Sequence, residues 1–170
     1  MAQLGNTTIG ATPRGINGTA RGALVTMPAA AASGFSVYAY IEDAAPGDNF
    51  RAALISDADK ITVLAESNLR TDISTAGWYQ FSGGDFATYT PSNGETFIIV
   101  VASDSAADAN AYYDDLGQDG WSASAGISDI DPLTLVDVMN ADTARDYSIY
   151  LDYTEAGGGP GGIVVNLQIG

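Results

Sequence analysis

From Phe35 to Glu42 the chain alternates without a break: Phe35, Val37, Ala39 and Ile41 share one face, and Ser36, Tyr38, Tyr40 and Glu42 share the other. A period of two residues marks a strand buried on one side. The same rhythm returns at Tyr147–Thr154, where Tyr147, Ile149, Leu151 and Tyr153 fall inward. Glu95–Ser103 is different, being almost continuously β-branched and apolar. Such a run predicts a central strand covered on both faces. Further strands are expected at Ala23–Met27, which closes at Pro28, at Phe50–Ser56, and at Ile61–Ser67 after the polar corner Asp57–Lys60. Trp78–Phe81 is an aromatic strand between Gly77 and Gly83-Gly84. Trp121–Ala125 and Leu133–Met139 complete the set, the last reading equally as a short helix after Asp131-Pro132. Pro46-Gly47-Asp48-Asn49 is strong turn chemistry.

Strands separated by turns, with no helical crossovers, predict two antiparallel sheets packed face to face. Phe35, Val37, Leu54, Trp78, Ile98, Val100, Ile149 and Leu151 are the expected core, with Phe81 packed inside beside Trp78. Tyr38, Tyr40 and Tyr150 are left to cover an outer sheet face, where large apolar patches ordinarily mean contact with something else. The sandwich is expected over residues 23–156. Residues 1–22, rich in Gly, Thr and Asn, predict an irregular arm or a short edge strand. Residues 157–170 open with the glycine-rich tether Gly157–Gly162 and end in a strand that alternates strictly, with Ile163, Val165, Leu167 and Ile169 on one face. An apolar strand on a loose tether needs an edge to pair with, on its own sheet or on a neighbour. These four residues are the candidate assembly contacts.

The middle of the chain resembles a known jelly-roll module. The resemblance lies in Val37-Tyr38-Ala39-Tyr40, in Phe50-Arg51-Ala52-Ala53-Leu54-Ile55-Ser56-Asp57 and in Val63-Leu64-Ala65-Glu66-Ser67. It continues in Gly77-Trp78-Tyr79-Gln80-Phe81 and in Gly94-Glu95 through Ser103-Asp104, so that it spans residues 35–104. Such sandwiches are similar to carbohydrate-binding modules and also occur in bacteriophage head and tail proteins. The resemblance implies an antiparallel jelly-roll β-sandwich, and modules of this kind often carry a structural calcium. This chain departs from the pattern at Ile55, where an aromatic is common, and in its tethered C-terminal strand. The shared motifs are packing motifs, so no sugar-binding residue carries over.

Charge narrows the partners. The 170 residues carry a formal charge of −15, with 17 Asp against 4 Glu and Lys60 as the one lysine. So acidic a chain repels phosphate backbones, and nucleic acid is not an expected partner. Its charge suits solubility in strong salt, or a particle surface that resists aggregation. With neither Cys nor His, the chain has no disulfide framework, no Cys/His zinc site and no histidine-based nucleophile activation. The opening MAQLGNTTIGATPRG lacks the basic and apolar regions of a secretory signal, and the longest apolar run, Phe97–Ala102, is too short to span a bilayer.

Three constellations remain. Glu42, Glu66 and Glu95 are carboxylates of the type used in glycoside hydrolysis, but they sit by strand ends where a solvated carboxylate is ordinary, and no enzyme is expected. The loop acids Asp43 and Asp48, Asp57 and Asp59, Asp114, Asp115 and Asp119, and Asp129 and Asp131 are the candidate calcium ligands. No segment follows the regular Asp-x-Asp-x-Asp-Gly loop, so no cofactor is expected beyond that candidate calcium. Tyr38, Tyr40, Tyr79, Tyr112, Tyr113, Tyr150 and Trp121 are candidates for a stacking platform. The expectation is a non-catalytic virion structural protein, made in a host cytoplasm. It would be a bacteriophage capsid decoration (cement) protein or a small head or tail appendage. It would contact other virion proteins, such as the major capsid or tail protein, and copies of itself as a homo-oligomer. A carbohydrate-binding module that takes a glycan, or a filament subunit assembled by strand exchange, is the alternative.

Overall fold

A computed structural model describes residues 1–42, 44, 48–103, 109–115, 120–124, 138–142 and 145–156. The chain folds into strands β1 (Ala2–Gly5), β2 (Thr12–Gly15), β3 (Ala20–Thr26), β4 (Ala31–Glu42), β5 (Phe50–Ser56), β6 (Val63–Glu66) and β7 (Gly77–Phe81). A single 3₁₀ turn, Gly84–Ala87, precedes β8 (Thr96–Ser103), β9 (Asn110–Asp114), β10 (Gly120–Ala123), β11 (Asn140–Ala141), β12 (Asp146–Tyr147) and β13 (Ile149–Glu155). Sheet I has the order β1-β13-β4-β9-β12, with β2 added on β9 and β7 on β4. Sheet II has the order β11-β10-β3-β8-β5-β6. Every ladder between these strands is antiparallel. The fold is all-β, an antiparallel sandwich.

Alternation decides where the core lies. Phe35, Val37, Ala39 and Ile41 of β4 meet Ile149, Leu151 and Tyr153 of β13 in the interior between the sheets, all buried. Strand β8 is enclosed on both sides. Phe97, Ile99 and Val101 enter that interior, whereas Ile98, Val100 and Ala102 enter a second cluster on the far face of sheet II. Ala53 and Ile55 of β5 join the second cluster, together with Met139, whose N–H donates to the Lys60 carbonyl at 2.9 Å. Gly22 in β3 faces β8 so closely that a Cβ there would stand 1.7 Å from the Ile99 carbonyl oxygen. Only glycine fits.

Of the two readings of residues 1–22, the structure has short strands rather than an irregular arm. Strand β1 pairs with β13, β2 pairs with β9, and β3 already begins at Ala20. Ladder hydrogen bonds come from the backbone, so a polar, glycine-rich stretch can hold an edge without apolar alternation. Between β12 and β13, Ser148 is the junction of sheet I. Its N–H donates to Tyr112 O at 2.8 Å, its carbonyl accepts from Tyr40 N at 3.0 Å, and its Oγ accepts from Gly10 N at 2.8 Å. On one side of Ser148 the strand pairs with β4, and on the other it pairs with β9. Of the segment Leu133–Met139, only Val138 and Met139 are described. The expected C-terminal strand, with Ile163, Val165, Leu167 and Ile169, lies outside the described residues.

Asp142, 8% exposed, gathers three arginines at one end of the sandwich. Arg21 lies at 3.4 Å, Arg14 at 3.8 Å and Arg145 in direct contact, while Tyr147 donates its hydroxyl proton to Asp142 Oδ2 at 2.6 Å. Burial holds the Arg21 guanidinium below its ordinary pKa, an effect opposed by Tyr147 and reinforced by Arg14 and Arg145. Asp142→Ala removes the buried carboxylate that three guanidinium groups share. It should cost about 3 kcal/mol of stability in urea denaturation.

Candidate functional site

The outward positions of sheet I carry the candidate site. Because β4 buries Phe35, Val37, Ala39 and Ile41, it must present Ser36, Tyr38, Tyr40 and Glu42 outward. Register sets Tyr150 opposite Tyr38, and Trp78 opposite Tyr40. The Tyr38 and Tyr150 rings stack with centroids 4.9 Å apart and planes within 2°, about the spacing of neighbouring strands. Trp78 leans on Tyr150 at 5.2 Å and meets Tyr40 edge-on at 5.8 Å, and Tyr40 meets Tyr112 edge-on at 5.4 Å. Five half-buried rings therefore form one continuous row across β9, β4, β7 and β13. Each such contact contributes about 0.5–1.5 kcal/mol beyond area burial.

Polar groups border the row. Tyr112 donates to Glu42 Oε2, and Gln80 Nε2 donates to Ser36 Oγ at 2.9 Å. Burial, with smaller contributions from Tyr38 and Asp152, pushes the Tyr150 hydroxyl above its ordinary pKa. Asp152 Oδ1 is buried with no hydrogen-bond partner among the described residues. It borders a groove of about 360 Å³ that also touches Ser36, Tyr38 and Gln80. The outward positions of β4, β7, β9 and β13 include Glu42, Asp114 and Asp152 but no lysine or arginine.

The expected surface contacts Tyr38, Tyr40 and Tyr150 are thus brought together, and Tyr112 joins them. Trp78 is a correction: it is half-buried on the outer face, not in the core. Phe81 is the inward residue, 1% exposed. Two residues three apart cannot share one face of a strand. Alternation counted back from Phe81 would have placed Tyr79 inward and Trp78 outward. The other aromatic candidates lie elsewhere. Tyr113 is buried against Tyr147 with ring centroids 5.7 Å apart, Tyr79 lies under the Arg70 guanidinium, and Trp121 sits on sheet II beneath the Lys60 ammonium.

Each candidate catalytic carboxylate is held by a structural partner. Glu66 pairs with Arg51 at 2.8 Å, Glu95 accepts from Tyr89 and from Ser92 N, and Glu42 accepts from Tyr112. The Asp57–Lys60 corner is likewise occupied. Lys60 Nζ binds Asp57, while Asp59 accepts from Ile61 N, Thr62 N and the Thr62 hydroxyl. Asp114 accepts from Ala11 N at 3.0 Å. Asp43, Asp119, Asp129 and Asp131 lie outside the described residues. Among the described residues no group of three or more ligand-type side chains is placed to hold a metal, and no helix is long and apolar enough to cross a membrane. The chain matches no family model, no curated protein and no solved structure.

Two measurements check these placements. Phe97→Ala, at a fully buried site, should cost about 3–5 kcal/mol in chemical denaturation. Trp78→Ala should cost about 1–3 kcal/mol, since it loses two ring contacts and only partial burial. The second concerns Asp59, whose carboxyl is held at about 2 against an ordinary 3.8 by the Thr62 hydroxyl first, then by the Thr62 and Ile61 amides. A depressed carboxyl supports the fold above its unfolded pKa and loses that support as pH falls through the folded one. Carboxyl-detected NMR should place the Asp59 midpoint near 2, and Thr62→Val should move it upward.

Proposed function

We propose that this protein is a non-catalytic structural subunit that docks through the aromatic face of sheet I onto another protein. The model for that role is a capsid decoration protein, or a small head or tail appendage, of a bacteriophage. The observation that carries the reading is the row Tyr38, Tyr40, Trp78, Tyr112 and Tyr150, whose rings stay half-exposed among the described residues. Tyrosine and tryptophan supply large contact area at low entropic cost, which is why they concentrate at protein interfaces. The ring geometry favours a protein over a sugar. Tyr38 and Tyr150 spend a ring face on each other, and hexose stacking needs a free face. The carboxylates Glu42 and Asp152 at the border favour a partner surface bearing arginine or lysine, which pairs with rings and carboxylates alike.

A second reading has its own observation. The groove of about 360 Å³ lined by Ser36, Tyr38, Gln80 and Asp152 offers hydroxyl, amide and carboxylate groups of the kind that pair with a glycan's hydroxyls. The two readings separate in one set of experiments. Tyr38→Ser/Tyr40→Ser/Tyr150→Ser in the full chain should lower the copy number bound to purified bacteriophage particles at least tenfold relative to the unmodified chain, while its circular dichroism stays sandwich-like. Unchanged copy number would sink the docking role. Binding of a neutral polysaccharide in calorimetry, lost on Asp152→Ala, would put the glycan reading in its place.

A further inference from the structure

Three of the chain's six basic residues converge at one end of the sandwich, and one carboxylate serves them all. Arg14, Arg21 and Arg145 each find their ion-pair partner in Asp142. Among the described residues the cluster thus sets three positive charges against one negative, in a chain whose net charge is −15. Beside it opens a hollow of about 240 Å³, lined by Arg14, Thr19, Arg21, Ser122, Ser124 and Asn140 and, among the described residues, by no carboxylate.

Strand register builds this hollow. Arg21 of β3 lies opposite Ser122 of β10, and Ser122 lies opposite Asn140 of β11. Residues opposite one another across a ladder share a face of the sheet. That face is the interior one, because Arg21 alternates with the buried Ala23 and Val25. From sheet I, Arg14 of β2 stands opposite the buried Ala111 of β9 and so shares its inward direction. The two sheets therefore present donors toward each other, and several of these donors are unspent. Arg21 gives Nε to the Gly15 carbonyl at 2.6 Å and Nη1 to Asp142 and Tyr147, and none of these bonds uses Nη2. Arg14, 34% exposed, stands 3.8 Å from Asp142, beyond hydrogen-bonding distance. Ser122 adds a half-buried hydroxyl. Asn140 Nδ2 donates to the Val138 carbonyl at 2.7 Å, which uses one of its two protons.

We propose that the hollow binds a small tetrahedral oxyanion, phosphate or sulfate, between Arg14 of sheet I and Arg21 and Ser122 of sheet II. Guanidinium forks match the oxygens of such ions, and their charge-assisted bonds are the strong ones. A dianion balances the two positive charges in excess. Donors that converge from two sheets suit a tetrahedral ion better than a carboxylate, whose oxygens accept in one plane. The acidic chain around the hollow repels a long polyanion, which leaves a compact ion as the fitting ligand. Once bound, it bridges the sheets where Asp142 already ties them.

The test uses the full chain and amide-detected NMR at constant ionic strength, with sodium phosphate, sulfate or acetate replacing sodium chloride. Phosphate and sulfate should move the Thr19, Ser122 and Asn140 amides along a saturable curve and leave Tyr38 and Tyr150 in place. Arg14→Gln should weaken that binding by about tenfold or more, and Ser122→Ala by about threefold, each with an otherwise unchanged spectrum. Shifts that stay linear and match those of chloride would overturn the site. So would saturation that neither substitution alters. Acetate binding as tightly as sulfate would overturn the tetrahedral assignment and give the hollow to a carboxylate.

Discussion

The double burial of β8 sets the terms for the rest of the molecule. Phe97 through Ala102 are at most 1% exposed, so sheet II must be covered on both faces. The interior face is covered by sheet I. The far face, with Ile55, Ile98 and Val100, is closed in part by Ile61, Trp121 and Met139. Sheet I has no such obligation, since its outward residues are tyrosines, Trp78 and short polar side chains that tolerate water at one end and apolar contact at the other. The sandwich is therefore asymmetric. One sheet finds its covering within the chain, and the other presents a half-buried aromatic surface.

Electrostatics reinforce that asymmetry. All six basic residues lie within ion-pair distance of a carboxylate: Arg14, Arg21 and Arg145 at Asp142, Arg51 at Glu66, Lys60 at Asp57 and Arg70 at Asp72. Three of the six converge on one nearly buried acid, where the pairing ties β2, β3 and Arg145, just before β12, together. The net charge of −15 reflects 21 acids set against these six bases. Such a surface resists adhesion to itself and to polyanions. Where a partner does dock, the complementary chemistry is cationic or aromatic.

Much of this was legible in the sequence, because the side-chain period of a strand is local. Phe35–Glu42 and Tyr147–Tyr153 face the way their alternation says, and the apolar run at Glu95–Ser103 is the doubly buried strand. What escaped depends on distant partners. Trp78 reads as core by size alone, and its place follows only from Phe81 and from its register with Tyr40. Strands β1 and β2 have no apolar signature, because backbone pairing and the contact of Gly10 with Ser148 hold them. The ring row could be listed but not ordered. Which tyrosines meet is fixed by pairing between residues distant in the chain, as with Tyr38 and Tyr150.

In the proposed docking role, the row of rings bordered by Glu42 and Asp152 would draw a cationic partner through charges near the surface, an attraction that screening weakens as the Debye length falls to about 3 Å at 1 M. Repulsion between copies that each carry −15 acts against crowding them side by side, and the same salt relieves it. Salt would thus loosen each copy's hold on a cationic surface while easing the approach of its neighbours, so the two effects oppose one another in setting how densely such a surface is covered.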